Sequence, residues 1–174
     1  MSDRKRWERR HGDFDAPAEP SPFLRKVLPM LRRGRALDVA CGSGANARLL
    51  AENDFAVDAL DWSVAALSKL SHPAVRRLAC DVTRFPLPPH RYDAVVCVRF
   101  LDRSLWPAMV KALRPGGALV LETFTRRYLE RRPDFRGAFC LEEGELVRAF
   151  ASSLRIALYE ELPSSTTACL LGFR

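Results

Sequence analysis

One short stretch restricts this chain more than any other: Ala36-Leu37-Asp38-Val39-Ala40-Cys41-Gly42-Ser43-Gly44-Ala45-Asn46-Ala47. An apolar run carries a single acid, turns on two glycines and passes straight into a helix-forming segment. A buried strand ending in such a turn brings backbone amides close to a ligand. Asp38 stands where a strand covered on both faces normally keeps an aliphatic residue. An acid there has a polar task, because burying it unpaired is costly.

The pattern around this stretch alternates strand and helix. Residues 1–22 are polar and charged, with Pro17, Pro20 and Pro22, and read as an N-terminal arm or lid. A short amphipathic helix is expected over Phe23–Leu31, then a strand over Ala36–Ala40 and a helix over Ala45–Glu52. A second strand, Phe55–Asp61, ends in an acid, and Ser63 is placed to cap a helix over Val64–Leu70. Val75–Cys80 is a third strand with Asp81 just past its end.

Tyr92–Val98 has the continuous apolar character of a central parallel strand. A helix over Leu105–Leu113, a tight turn at Arg114-Pro115-Gly116-Gly117 and a fifth strand, Ala118–Thr123, follow. An arginine-rich loop then leads to a helix near Leu141–Ser152. Leu154–Leu162 and Thr166–Phe173 are joined only by Pro163-Ser164-Ser165, too short for a crossover, so they must be antiparallel. The expected fold is α/β: a Rossmann-like, seven-stranded, mostly parallel sheet with helices on both faces and a C-terminal antiparallel hairpin. Residues 23–174 read as one domain.

Composition narrows the classes. With 174 residues, 48% hydrophobic and 28% charged, the chain has the makeup of a single globular domain. Without an apolar run of membrane-spanning length, and with a charged N-terminus, it is expected to be cytoplasmic and to have no membrane partner. The five cysteines show no C-x-x-C pairing and read as reduced, buried side chains. The three scattered histidines suggest no metal site. The net charge of +7 leaves a nucleic-acid partner open, but no aromatics interleave with the basic residues. A small molecule is favoured, with the chain a monomer or homodimer.

In an open parallel sheet the ligand lies beyond the carboxyl ends of the strands, where strand order reverses. Gly42–Gly44, Asp61 and Asp81 all fall at such ends. Asp61 suits a carboxylate that accepts both hydroxyls of a ribose, and Asp81 one that accepts from an adenine amine. Asp38 suits a position near a cationic group, orienting the amides of the turn. Two ligands compete. Gly42-Ser43-Gly44-Ala45-Asn46-Ala47 fits the dinucleotide pattern G-x-G-x-x-G/A, and Asp61 lies at about the ~20-residue distance expected of it. Asp38, the short chain and the closing hairpin weigh against a pyrophosphate and toward a cationic, adenosine-containing ligand.

Together these residues resemble the class I S-adenosylmethionine-dependent methyltransferases. Leu37-Asp38-Val39-Ala40-Cys41-Gly42-Ser43-Gly44 is similar to that family's acid-x-G-x-G-x-G motif, with Ala40 in place of the first glycine. Asp61 stands at the ribose acid, and Cys80-Asp81-Val82 at the adenine-contacting acid and its apolar neighbour. Trp7-Glu8-Arg9-Arg10-His11, with Pro20-Ser21-Pro22-Phe23-Leu24 after it, resembles the small bacterial tellurite-resistance and thiopurine-like branch. Phe100-Leu101-Asp102-Arg103 and Glu122-Thr123-Phe124-Thr125 are similar to that branch as well.

The resemblance implies S-adenosylmethionine as cofactor and a set of contacts. Arg10 would neutralise the methionine carboxylate; Cys41, Gly42, Gly44, Asn46, Trp62, Val82 and Val98 would line the pocket with Asp38, Asp61 and Asp81. Arg99, Phe100 and Arg103 would face the acceptor, where an arginine suits an anion. Methyl transfer from a sulfonium is a direct displacement that rests on alignment and desolvation, so no catalytic residue is expected. A soft sulfur, selenium or tellurium nucleophile would need no strong base. Two other classes stay open: a nicotinamide-dependent oxidoreductase, and a cofactor-binding partner protein without activity.

Overall fold

The computed structural model describes residues 19–174. Arg10, the Trp7–His11 segment and most of the proposed arm lie outside the described residues. Seven strands form one sheet: β1 Arg35–Val39, β2 Ala56–Asp61, β3 Val75–Ala79, β4 Tyr92–Val98, β5 Leu113–Phe124, β6 Arg155–Glu160 and β7 Thr167–Phe173. Their order is β3-β2-β1-β4-β5-β7-β6. The first five run parallel, while β7 pairs antiparallel with both β5 and β6. Among the described residues six α-helices accompany them: α1 Pro22–Val27, α2 Ala45–Ala51, α3 Val64–Ser68, α4 Trp106–Ala112, α5 Tyr128–Arg131 and α6 Glu145–Phe150.

Alternation along the central strands separates two core layers. Ala36, Val57, Ala59, Ala94, Val96 and Val120 pack with Leu24 and Val27 of α1 and Ala47 and Leu50 of α2. Leu37, Val39, Leu60, Val95, Leu119 and Leu121 pack with Met109 of α4 and Leu146 and Phe150 of α6. Each of the larger of these side chains (Val, Leu, Met and Phe) contributes about 1.5–3 kcal/mol of hydrophobic stabilisation. Small residues occupy much of the first face of the sheet, which lets α2 lie close beneath the turn that precedes it.

The expected sheet, its hairpin and the Ser63 cap are present; the Ala66 amide donates to Ser63 Oγ at 3.1 Å. Several boundaries differ. The helix expected over Leu141–Ser152 is confined to α6, because Glu142–Gly144 forms a turn that ends on Gly144 in the left-handed region. Arg114–Gly117 lies inside β5 rather than before it, as an irregularity: Tyr92 pairs with Leu113 and Ala94 already with Ala118. The arginine-rich loop contains α5, which its charge density hides from a periodicity reading.

Asp58 fastens the amino-terminal end of the strands, remote from the glycine turn. Asp58 accepts from Tyr92 Oη at 2.9 Å and Arg76 Nε at 2.9 Å, with Arg35 at 3.4 Å. Burial pushes Asp58 up, but the Tyr92 hydroxyl and the Arg76 and Arg35 guanidiniums outweigh it and hold the group below the usual carboxylate range.

Candidate cofactor and acceptor site

Strand order reverses between β1 and β4, and a cavity of about 740 Å³ opens there. Its wall is drawn from the loops beyond the carboxyl ends of β1 to β5 and from the start of β7, where such folds hold ligands.

The glycine turn forms one side. Ala40, Gly42 and Gly44 have φ of 55°, 56° and 79°, so the chain enters the left-handed region at every second residue. A Cβ on Gly44 would lie 2.4 Å from Leu70 Cδ2, which reserves that position for glycine independently of any ligand. The turn is tied to β2: the Cys41 amide donates to Leu60 O at 2.9 Å, and the Gly42 amide to Asp61 Oδ2 at 2.8 Å. Asp61 Oδ1 accepts from the Ser63 amide at 2.8 Å. Each Asp61 oxygen therefore spends one lone pair on backbone and keeps another for a ligand. Trp62 and Val82 line the cavity beside it.

Asp81 also lines the cavity, and its Oδ1 accepts from the Thr83 amide at 3.0 Å and Thr83 Oγ1 at 2.7 Å. These bonds hold it below the ordinary carboxylate value. Asn46 lies at the start of α2; its Oδ1 accepts from the Ser21 amide at 2.9 Å. Ser21 Oγ in turn donates to the buried Glu122 on β5. Cys41 and Cys80 reach the wall too, but burial and the adjacent carboxyl groups push both thiols up, so neither is a ready nucleophile.

Three positions depart from expectation. Asp38 is fully buried and does not reach the wall. It points from β1 to the same face as Ala36, toward the layer that α2 covers. Neither carboxyl oxygen has a hydrogen-bond partner among the described residues. Burial raises its pKa from 3.8 to about 8; the dipole of the Ala47 amide draws it part of the way back, and Asp61 adds to the rise. Near neutral pH, Asp38 is thus mainly an uncharged acid beneath the turn, not a charge facing a cation. Gly44 is likewise a packing position and not part of the wall.

Arg103 is the third correction. Its Nη2 and Nε bind both oxygens of Glu145, at 2.8 and 2.5 Å, and its Nη groups reach Ala138 O and Cys140 O at 3.1 and 3.0 Å. It clamps the 137–145 loop to the start of α6 and does not line the cavity. Val98, Arg99 and Phe100 do line it.

The residues that sequence reasoning passed over are Phe124, Tyr128 and Phe139, with Leu101, Asp102, Thr166 and Thr167. Phe124 ends β5 and Tyr128 opens α5, so they meet only through the turn between strand and helix, which no sequence spacing reveals.

Comparison with known proteins places this geometry. Residues 36–117 match the family model described as a methyltransferase domain. A demethylmenaquinone methyltransferase of Beutenbergia cavernae is 34% identical over 99 residues, covering 52% of this chain and 41% of the relative. The chain spans less than half the length of the curated relatives it matches. An S-adenosylmethionine-dependent methyltransferase of Mesorhizobium loti superposes with a TM-score of 0.73 at 20% identity, covering 88% of this chain and 96% of the other. The geranyl diphosphate C-methyltransferase of Streptomyces coelicolor A3(2), solved with Mg2+, geranyl diphosphate and S-adenosyl-L-homocysteine, gives 0.74 at 13% identity, with 98% and 97% covered. These likenesses show the fold, which this chain shares with S-adenosylmethionine-dependent methyltransferases.

Proposed function

We propose that this chain, whose residues 36–117 match a methyltransferase domain model, transfers a methyl group from S-adenosylmethionine to a small-molecule acceptor. The observation that carries this is Asp61: a carboxylate at the point where strand order reverses, both oxygens oriented by backbone amides, on the wall of the cavity. Two acceptor oxygens with no donor suit the paired hydroxyls of a ribose. Asp81 takes the adenine amine, with Trp62 and Val82 against the base. Cys41, Gly42 and Asn46 flank the remainder of the cofactor, and Val98 lies at its methionine end. Arg10 is assigned to the methionine carboxylate; Ser21 and Pro22, expected in the arm, instead cap and open α1, with Ser21 buried against Glu122 of β5.

When bound, the cofactor supplies a methyl group on a positively charged sulfur, which an acceptor lone pair takes as the carbon–sulfur bond breaks and its electron pair returns to sulfur. The protein's share is to hold the two reactants in line and exclude water. Asp61 and Asp81 are engaged by backbone amides and are not placed as general bases, so the acceptor is one that arrives already deprotonated. A thiolate, or a selenium or tellurium oxyanion, meets that condition, which is the chemistry of the tellurite-resistance and thiopurine-like branch. The curated relatives are named instead for demethylmenaquinone, which puts that compound on the same test panel. Among the described residues no helix is long and apolar enough to cross a membrane.

Calorimetric titration with S-adenosylhomocysteine tests the cofactor assignment. Wild type should bind, and Asp61→Ala should lose about 100-fold or more, as expected for two hydrogen bonds to a charged group. Asp61→Asn, which retains one acceptor oxygen, should lose less. Equal affinity in wild type and Asp61→Ala, or no binding by wild type, defeats the assignment.

A further inference from the structure

The half of the cavity away from the glycine turn is built from aromatic rings. Phe124, the last residue of β5, stacks on Tyr128, with centroids 4.0 Å apart and planes inclined by 21°. Phe135 packs edge-on against both, at 5.5 and 5.1 Å, and Phe139 extends the cluster at 6.3 Å from Phe135. Phe124, Tyr128 and Phe139 line the cavity. The rings brace one another, so a ligand laid on them need not order loose side chains. Such a wall rewards a flat apolar partner through stacking and edge contacts. A small hydrated oxyanion gains nothing from it and loses water on entering.

A positive charge stands at the same rim. Arg99 follows β4 directly, and its backbone amide donates to Glu122 O at 2.7 Å, two residues before Phe124 on the neighbouring strand. Its φ of 58° places a non-glycine residue in the left-handed region, a strain that persists where surrounding structure or function holds it. The side chain lines the cavity and makes no hydrogen bond or ion pair with any described residue. Nearby arginines differ: Arg103, Arg126 and Arg132 are paired with Glu145, Glu142 and Asp134. Asp102, which shares the wall with Arg99, has its carboxylate turned to the Ser104 amide and hydroxyl, at 2.9 and 2.6 Å.

We infer that the acceptor is a planar aromatic compound carrying a negative charge, its ring on the Phe124–Tyr128–Phe139 wall and its anionic group on Arg99. The inference rests on the methyltransferase reading above and narrows its acceptor from small molecules in general to aromatic anions. Ring and charge make separable contributions, because a guanidinium recognises a carboxylate or phenolate whatever carries it.

The test uses the full chain saturated with S-adenosylhomocysteine and titrated calorimetrically with four probes. These are 2-naphthoate, 2-naphthamide (ring without charge), decalin-2-carboxylate (charge without a flat ring) and selenite (charge alone). The expected result is that 2-naphthoate binds at least tenfold more tightly than each of the other three. Arg99→Gln should remove its advantage over the amide, and Arg99→Lys should restore most of it, with S-adenosylhomocysteine affinity changed less than twofold in both. Phe124→Leu should reduce the advantage over the decalin acid and leave that over the amide. The inference is overturned if no probe binds, if the amide or the decalin acid matches 2-naphthoate, if selenite binds best, or if Arg99→Gln leaves the ratios unchanged. Failure of wild type to take up S-adenosylhomocysteine is a different result, which removes the cofactor reading and this one with it.

Discussion

Replacing Asp38 by Asn should change how the stability of this protein responds to pH. The unfolded chain ionises Asp38 near 3.8, whereas the folded chain keeps its proton up to about 8. Between those values the unfolded state has released a proton that the native state still holds. Stability therefore falls as pH rises, by ~1.4 kcal/mol for each pH unit, and levels off above about 8. The accumulated loss is roughly 3 kcal/mol at pH 6 and roughly 6 kcal/mol at the plateau, set against a typical total of about 5–15 kcal/mol. Asp38→Asn removes the ionisable group and keeps its shape. Its extra N–H adds an offset that is constant with pH, because the site offers the carboxyl oxygens no hydrogen-bond partner among the described residues. Urea denaturation of both proteins at pH 5, 6, 7, 8 and 9, without ligand, reads the difference. The variant should gain on wild type steadily from pH 5 to 8 and no further beyond. A difference that is flat across the range, or one that shrinks as pH rises, would refute the account of Asp38 as an uncompensated buried acid.

Two further changes address backbone strain and the amino-terminal end of the strands. Ala40→Gly restores glycine where the motif usually has it; relief of a left-handed alanine at φ 55°, less the added entropy of the unfolded chain, should raise stability by up to about 1 kcal/mol, visible as a higher urea midpoint. An unchanged or lower midpoint contradicts this. Asp58→Asn should cost about 1–3 kcal/mol at pH 7, since it leaves partly exposed arginines without their carboxylate. Because Asp58 is held below the usual carboxylate range, its contribution is present above pH ~4 and fades in more acid solution as the group protonates, so the two proteins should converge there. A gap that persists below pH 3 would assign the loss to packing instead.

The parts of this protein legible in its sequence are those whose cause is local. The turn at Gly42–Gly44 is written in residues that tolerate a left-handed backbone. The central strands are written in unbroken apolar runs, and the antiparallel hairpin in a joint too short for a crossover. Asp61 and Asp81 could be placed on the wall because strand ends in a parallel sheet converge wherever strand order reverses. Their neighbours Trp62 and Val82 came with them.

Three features had to await the packing of distant segments. Asp38 reads in sequence as a charge near a ligand; only the closeness of α2 over β1 shows that it is sealed from water and mainly uncharged. Arg103 reads as a substrate arginine, yet Glu145, forty-two residues later, claims its guanidinium. The aromatic wall comes from a loop dominated by arginine, where charge masks the spacing of Phe124, Tyr128 and Phe139. Sequence alone determined the sheet, the turn and the place where the cavity opens, since those follow from backbone preference and strand periodicity. Tertiary structure decided which polar groups are charged, which are already paired and which remain for an acceptor, since solvation and pairing depend on residues brought together only by the fold.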